Sequence, residues 1–552
     1  ARVLLRQGSL ELAAAQLAAA GERQADPQAA CELAFAYEQR AEPAQALAWC
    51  ARALQTDPRH AASLLLKGRL EAASGSLEAS LELLQRALQA GADPAAVAFE
   101  AAVAYLRERQ YGAAVDELET ALHFRPDWPQ AQWQLGIARL KLGAFGEAVE
   151  PLERAAQALG RAEAWSDLGL AYRGSGELEK AAGALRRAVS LDPACETARN
   201  NLGVVLRDEG RIEEARQHFE RQLARRPDDE EAAWNLTMIQ LLGGDFSAAW
   251  HGYERRWSRE DMPARDFRFP AWQGEPLAEK TLFVYAEQGI GDQMMFASCL
   301  PEVIPAAKAC VVECAPKLKS LFERSFPAAR VLSSPLATDG AWTQDVPSID
   351  YQVAIGSLPL RLGRAAGSFP RHGGYLRADP ARVERWQAHL ATLPAGPKIG
   401  ISWRGGKPTT QSALRSLDLA RLRPILELPA MHFVNLQYDS TAAEVDAARA
   451  DGLHLHHWQD ALEDYDETAA LVMALDLVVT VCTALVHLAG ALGRPAWVLV
   501  PRTPEWRYLH SGESMPWYPS VRLYRQRPTE PWNPVIARVA EALARHPFPR
   551  HA

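Results

Sequence analysis

Through the first 230 residues, small, aromatic and aliphatic positions recur with a period of about 34 residues. One copy carries Trp165, Leu168, Gly169 and Tyr172, then Ala181, Leu185, Ala188 and Pro193. The next carries Leu202, Gly203, Leu206, Ala215, Phe219 and Pro227. In each copy the apolar positions fall at helical spacing in two runs separated by turn residues, which predicts two amphipathic helices per unit. Units cover 27–60, 61–94, 95–128, 129–161, 162–195 and 196–229, between a truncated first unit at 1–26 and a closing unit at 230–257. Pro58 and Pro126 stand two periods apart. Pro126 and Pro193 stand one residue closer, so one loop is shorter. Small residues at the Gly/Ala positions let paired helices approach, and the Trp, Leu, Tyr and Phe positions fill the space between them.

This period and pattern resemble the tetratricopeptide repeat, whose helix pairs stack into a superhelix with a concave groove. The resemblance implies an α-solenoid over 1–257 and a protein partner held in its groove. Arrays of this kind often self-associate, so a homo-oligomer is an open expectation. The aromatic tail of the closing unit, Trp250 to Trp257, is expected to be core against whatever follows.

The rhythm then breaks. Segment 258–280 carries Pro263, Pro270 and Pro276 with Phe267, Phe269 and Trp272 between them, which predicts an ordered connector lying on a domain surface. From Thr281 the pattern becomes strand, turn, helix. Strands are expected at Thr281–Ala286, Cys310–Cys314 and near Arg330–Ser333, and again at Lys398–Trp403, Met431–Gln437, Leu477–Val481 and Ala496–Val500. These form two Rossmann-like α/β blocks, 281–390 and 391–552.

Composition narrows the class. A net charge of -8 and the absence of any Lys/Arg-rich stripe argue against a nucleic-acid binder. Seven scattered cysteines without CxxC or zinc spacing read as small buried hydrophobes in a reducing, cytoplasmic setting. The apolar stretch Ala469–Leu492 is interrupted by Asp476 and His487, with β-branched residues clustered at Val478–Val481. It therefore reads as helix, strand, helix rather than a membrane span. The opening ARVLLRQGSLELAAAQ lacks a signal-peptide core and reads as a repeat helix. With no initiator Met, the chain is expected to begin inside a longer native sequence.

Candidate chemistry sits at strand ends. The turn Gln288-Gly289-Ile290-Gly291-Asp292 follows the first strand, and its two glycines permit a tight turn and close ligand approach. Asp292 reads either as a helix N-cap or as a general base. Val478–Gly490 runs from strand into helix. The backbone N–H groups near Thr483 and Ala484, the Thr483 hydroxyl and His487 suit a diphosphate. Trp403, Arg404 and Lys407 follow the first strand of the second block. Arg404, Lys407 and Arg415 are candidates to offset phosphate charge. Gln437, after the next strand, is a candidate base or ribose contact. Asp464-Tyr465-Asp466 mimics an Asp-x-Asp metal motif but reads as a capped helix start with Asp466 as N-cap. His454, His456 and His457 lack a completing ligand, so no metal is expected. Trp506-Arg507-Tyr508 and Trp517-Tyr518 read as a loop over the cleft, stacking on ligand or serving as core.

Taken together, LFVYAEQGIGDQMMFASCLP, IGISWRGG and VVTVCTALVHLAGALGRPAWVLVP resemble the bacterial heptosyltransferase-like glycosyltransferases of family nine and its relatives. Repeats followed by this pair of blocks look like the bacterial repeat-containing protein glycosyltransferases, some of which modify flagellin. The resemblance implies a GT-B fold with its active site between two Rossmann-like domains. It also implies inverting, metal-independent transfer from a nucleotide-sugar to a protein Ser or Thr, with no cofactor. It makes Asp292 the base and Gly291, Trp403, Arg404, Lys407, Arg415, Gln437, Thr483, Ala484 and His487 the donor-binding set. Two departures stand out. Cys482 occupies the position where relatives usually carry Asp, and the run Pro408–Ala413 before Arg415 has none of their basic residues. A transferase acting on lipopolysaccharide or another glycan, and a non-catalytic scaffold, are the alternative readings.

Overall fold

The computed structural model describes residues 10–19, 26–259, 265–339, 341–346, 348–365, 367–369, 372–405, 412–438, 442–527 and 530–548. The chain divides into two compact units, Ala1–Val205 and Leu206–Ala552. The first unit is helical. Paired helices include Pro27–Gln39 with Pro43–Thr56, Ala61–Ala73 with Leu77–Gln89, and Pro129–Leu142 with Phe145–Leu159. Several start with proline at the first turn, where its missing N–H costs nothing, and Asp26 and Asp93 cap their helices through side-chain oxygens.

The expected role of small residues is met atom by atom. A Cβ at Gly68, Gly136 or Gly169 would lie 3.0, 2.3 or 2.5 Å from the Cγ of Leu84, Leu152 or Leu185. Each pair joins the two helices of one repeat, and only a bare Cα lets the leucine seat. Polar bridges tie successive repeats. Trp133 Nε1 donates to Asp167 at 2.7 Å, and Arg69 spans Glu38 and Glu100 at 2.5 and 3.3 Å.

In the second unit, helices Ile212–Arg225, Glu230–Gly243 and Phe246–Tyr253 precede the α/β region. Two sheets follow. The first contains β1 (Thr281–Tyr285), β2 (Ala309–Cys314), β3 (Ala329–Ser333) and β4 (Tyr351–Ala354), all parallel in the order β3-β2-β1-β4. The second contains β5 (Lys398–Ile401), β6 (His432–Asn435), β7 (Leu455–His456), β8 (Leu477–Val481), β9 (Ala496–Val500), β10 (Ser514–Met515) and β11 (Tyr518–Arg525). Its order is β10-β11-β9-β8-β5-β6-β7, with only β10 antiparallel. β1, β8 and β9 are buried along their whole length, as continuous apolar runs in two-sided sheets should be. The expected strands are all present; β4, β7, β10 and β11 add to them. Residues 469–492 form helix, strand, helix, and no helix among the described residues is long and apolar enough to cross a membrane.

The last helices of the repeat pattern are built into this core. Phe246, Trp250 and Tyr253 pack against Phe296, Trp506 and Trp517, mostly edge-to-face, at centroid separations of 5.8 to 6.5 Å. Trp250 Nε1 donates to the Arg364 carbonyl at 2.9 Å. In the connector, Phe267 packs on Phe283 and Tyr285 of β1, and Ala271 bridges Gln352 of β4. Pro263 lies outside the described residues.

Candidate functional site

The turn after β1 is held from behind. Arg256, fully buried, donates through Nε and Nη2 to the Glu287 carboxylate at 2.8 Å each and to Ser357 at 2.7 Å. The same carboxylate accepts from Gly356 N at 2.8 Å, so a buried cation, paired on several sides, fixes the turn. Gln288 adopts a left-handed φ of 59°, uncommon for a residue with a Cβ, and its Nε2 donates to Tyr253 Oη at 2.7 Å. The turn delivers the helix Ile290–Phe296.

Asp292 is not the N-cap. Gly289 is, without any side-chain cap, and Asp292 is the third helical residue. Its carboxylate has turned away to Arg507, accepting from Nε at 2.7 Å and also from Nη2. Arg507 Nη1 reaches Glu505 at 3.1 Å, and the other oxygen of Glu505 accepts from Arg415. Asp292, Arg507, Glu505 and Arg415 thus form one row of alternating charge. Burial works against the charge on Arg507, but Asp292 and Glu505 outweigh it and raise its pKa.

Facing this row is the helix Ala484–Ala491. Thr483 is its N-cap, accepting from Leu485 N at 3.2 Å, which leaves the hydroxyl hydrogen directed elsewhere. Glycines bring the parts together. A Cβ on Gly291 would meet His487 Cδ2 at 3.1 Å and Ala484 Cα at 3.5 Å, and one on Gly405 would lie 2.1 Å from Thr483 Cγ2. His487 is buried, with Nδ1 3.1 Å from Tyr518 Oη. Burial, aided by the charge of Arg507, pushes its pKa down to about 3, so it is a neutral hydrogen-bonding group rather than a cation for phosphate.

These groups enclose a cavity of about 670 Å³, within the range of small-molecule sites. It brings together Gly291, Asp292, Arg415, Thr483, Ala484 and His487 of the expected set, all beyond the carboxyl ends of parallel strands. Sequence reasoning missed Lys317, Glu505 and Tyr465. Lys317 lies just beyond β2, after Ala315 and Pro316, and that strand-end position is the available signal. In the sequence Arg507 reads only as part of an aromatic loop.

Three expected donor contacts do not reach the cavity. The Trp403 ring is fully buried in the core of the second sheet, its Nε1 donating to Glu444 at 3.0 Å. Arg404 turns to the same Glu444 at 2.5 Å. Gln437 is buried, and its side-chain carbonyl accepts from Ser402 Oγ, Trp403 N and Arg404 N at 2.9, 3.0 and 2.8 Å. It shapes the β5 loop and is not among the residues lining the cavity. Lys407 lies outside the described residues. Trp506 and Trp517 are core, whereas Tyr508 lines the cavity. The cap of the helix Tyr465–Ala474 is Asp464, not Asp466, which pairs with Arg324 at 2.6 Å. Cys482 is buried with its sulfur 3.8 Å from the Leu499 carbonyl. Among the described residues no group of three or more His, Cys, Asp or Glu is placed to hold a metal ion.

Comparison with known proteins bears most on the repeats. Residues 51–96, 99–164, 166–230 and 206–264 match the tetratricopeptide repeat family. Protein FlbA of Caulobacter vibrioides is 36% identical over 312 residues, covering 53% of this chain and 52% of that protein. The chain therefore spans about half the length of this curated relative. Among solved structures, YrrB, a TPR protein with an unusual peptide-binding site, shows 22% identity over 31% of this chain and 90% of its own, with a TM-score of 0.27. MamA from Desulfovibrio magneticus RS-1 shows 27% identity over 31% and 97%, with a TM-score of 0.29. The chain carries tetratricopeptide repeats, followed by an α/β region, and has a homologue named FlbA.

Proposed function

We propose that the α/β region is a GT-B glycosyltransferase that moves a sugar from a nucleotide-sugar to a Ser or Thr of an acceptor protein gripped by the repeats. The observation that carries this reading is the cavity itself. Asp292, beyond β1 of one sheet, and the Thr483 helix start, beyond β8 of the other, line the same space. Two sheets presenting their strand ends to one cavity is the arrangement a GT-B enzyme needs.

In this reading the acceptor hydroxyl oxygen attacks the anomeric carbon while Asp292 takes its proton. The bond from that carbon to the phosphate oxygen breaks, and the leaving diphosphate carries away the electron pair. Its charge is met by the backbone N–H groups and hydroxyl at Thr483, by Arg415 and by Lys317. Arg507 orients Asp292. Holding the acceptor on the repeats raises its local concentration, so a poor local sequence is still modified. Flagellin, an acceptor within the resembling family, is the first protein to test.

The test is calorimetric titration of the full chain with UDP-, GDP-, CMP- and ADP-sugars, followed by intact-mass measurement of co-expressed flagellin. A donor that binds and a mass increase equal to its sugar support the reading. Absence of binding to every donor leaves the scaffold alternative standing.

A further inference from the structure

The cavity contains an anion already, and it belongs to the protein. Glu505 places one carboxylate oxygen on Arg415 and the other on Arg507. Both guanidinium side chains are largely buried, 11% and 15% exposed. Asp292 pairs Arg507 from one side, and the Glu505 carboxylate standing between the two guanidinium groups offsets their mutual repulsion. A carboxylate bridging two arginines reproduces the contacts a phosphate would make with the same pair.

Glu505 also has somewhere to go. The loop carrying it separates the main cavity from a second one of about 240 Å³, and Glu505 and Arg507 line both. The smaller cavity is walled by Ile212, Met238 and Leu242 of the last repeat helices and by Arg502 and His510.

We propose that Glu505 is an internal stand-in for ligand phosphate: its carboxylate holds the place between Arg415 and Arg507 that a phosphate of a nucleoside diphosphate takes, and turns into the smaller cavity when the ligand enters. This rests on the nucleotide-sugar reading for the identity of the ligand, though not for the anion site. The site then discriminates by charge. Displacing a monoanionic carboxylate favours groups of higher charge, and the internal competitor lowers apparent affinity by the fraction of time it occupies the site. Arrival of the donor is also signalled to the last repeat helices, because the displaced side chain lands against them.

The test is titration of the full-length protein with inorganic pyrophosphate and, separately, with UDP, GDP, CDP and ADP. Wild type, E505Q and E505A are compared, with melting curves to confirm folding. Both variants are expected to bind pyrophosphate at least about tenfold more tightly than wild type. Unchanged or weaker binding overturns the proposal, because Glu505 would then be a structural pillar. A second variant, M238W, narrows the smaller cavity. It is expected to weaken pyrophosphate binding in wild type and to leave E505A unaffected; an equal effect in both backgrounds overturns the displacement route. If nucleotides bind no better than pyrophosphate in any variant, the nucleotide-sugar reading fails while the stand-in survives. If no anion binds any variant, the stand-in itself fails.

Discussion

Asp292 and Arg507, separated by 215 residues in sequence, meet in an ion pair with Arg507 Nε 2.7 Å from the carboxylate. The pair joins the helix beyond β1 to the segment beyond β9, so the side chain offered as base is aimed by the opposite sheet. Asp292→Asn keeps one acceptor oxygen for Arg507 and touches no helix cap. It is expected to cost about 1 kcal/mol of stability, read from thermal melting. Transfer should fall at least about 100-fold while donor affinity, measured by titration, stays within about threefold. Retained transfer would remove Asp292 from the role of base.

Gly291 tests how closely the two helix starts must approach. In Gly291→Ala the added methyl carbon would sit 3.1 Å from His487 Cδ2, tighter than ordinary contact, so the His487 ring must give by a few tenths of an ångström. The expected result is a loss of about 1–2 kcal/mol and weaker donor binding together. Gly136→Ala, whose Cβ would lie 2.3 Å from Leu152 Cγ, should destabilise by about 1–3 kcal/mol without altering donor affinity. Thermal melting and titration on both variants separate the two effects.

Much of the architecture was legible because its signals are local. A 34-residue period, and the apolar runs Leu477–Val481 and Ala496–Val500 bounded by turn residues, need no tertiary information. β7, only two residues long, and β11, with exposed Pro519 and Arg522 amid buried positions, carry weaker patterns. The positions of Asp292 and Thr483 on one cavity were legible because a strand end decides them. Strand-end logic does not fix which way a side chain turns: Trp403 lies in the core of the second sheet and Gln437 turns to the β5 loop. Glu505 and Arg507 were hidden for another reason. Their partners lie on remote segments, and the aromatic residues around them drew the reading toward stacking.

Gln437 tests the structural role that its hydrogen bonds define. Its carbonyl is the acceptor for two backbone N–H groups of the β5 loop, that of Trp403 buried and that of Arg404 partly buried. Gln437→Leu leaves both donors unsatisfied and should destabilise by about 2–4 kcal/mol. Gln437→Glu keeps the acceptor and should be milder above the carboxylate range. Denaturant melts of both variants check this; equal losses would mean that packing, rather than the hydrogen bonds, explains the burial of this residue.

His487 predicts a pH dependence whose sign follows from burial. In the unfolded chain it titrates near 6.5, whereas in the folded protein desolvation, aided by Arg507, holds its pKa at about 3. The unfolded state therefore binds the proton first. The stability that neutral His487 permits is complete above pH 6.5 and declines as pH falls from there toward 3. Between pH 6.5 and 5 the loss attributable to this residue is about 2 kcal/mol, from roughly 1.4 kcal/mol per pH unit. His372, His432 and His456 are also shifted downward by burial, so the wild-type curve alone does not isolate the effect. His487→Gln retains a hydrogen-bonding group for Tyr518 and cannot protonate. Its melting curve should be flatter than that of wild type across pH 5 to 6.5 by about that amount. Parallel curves would show that water reaches His487 and that the burial assigned to it is wrong.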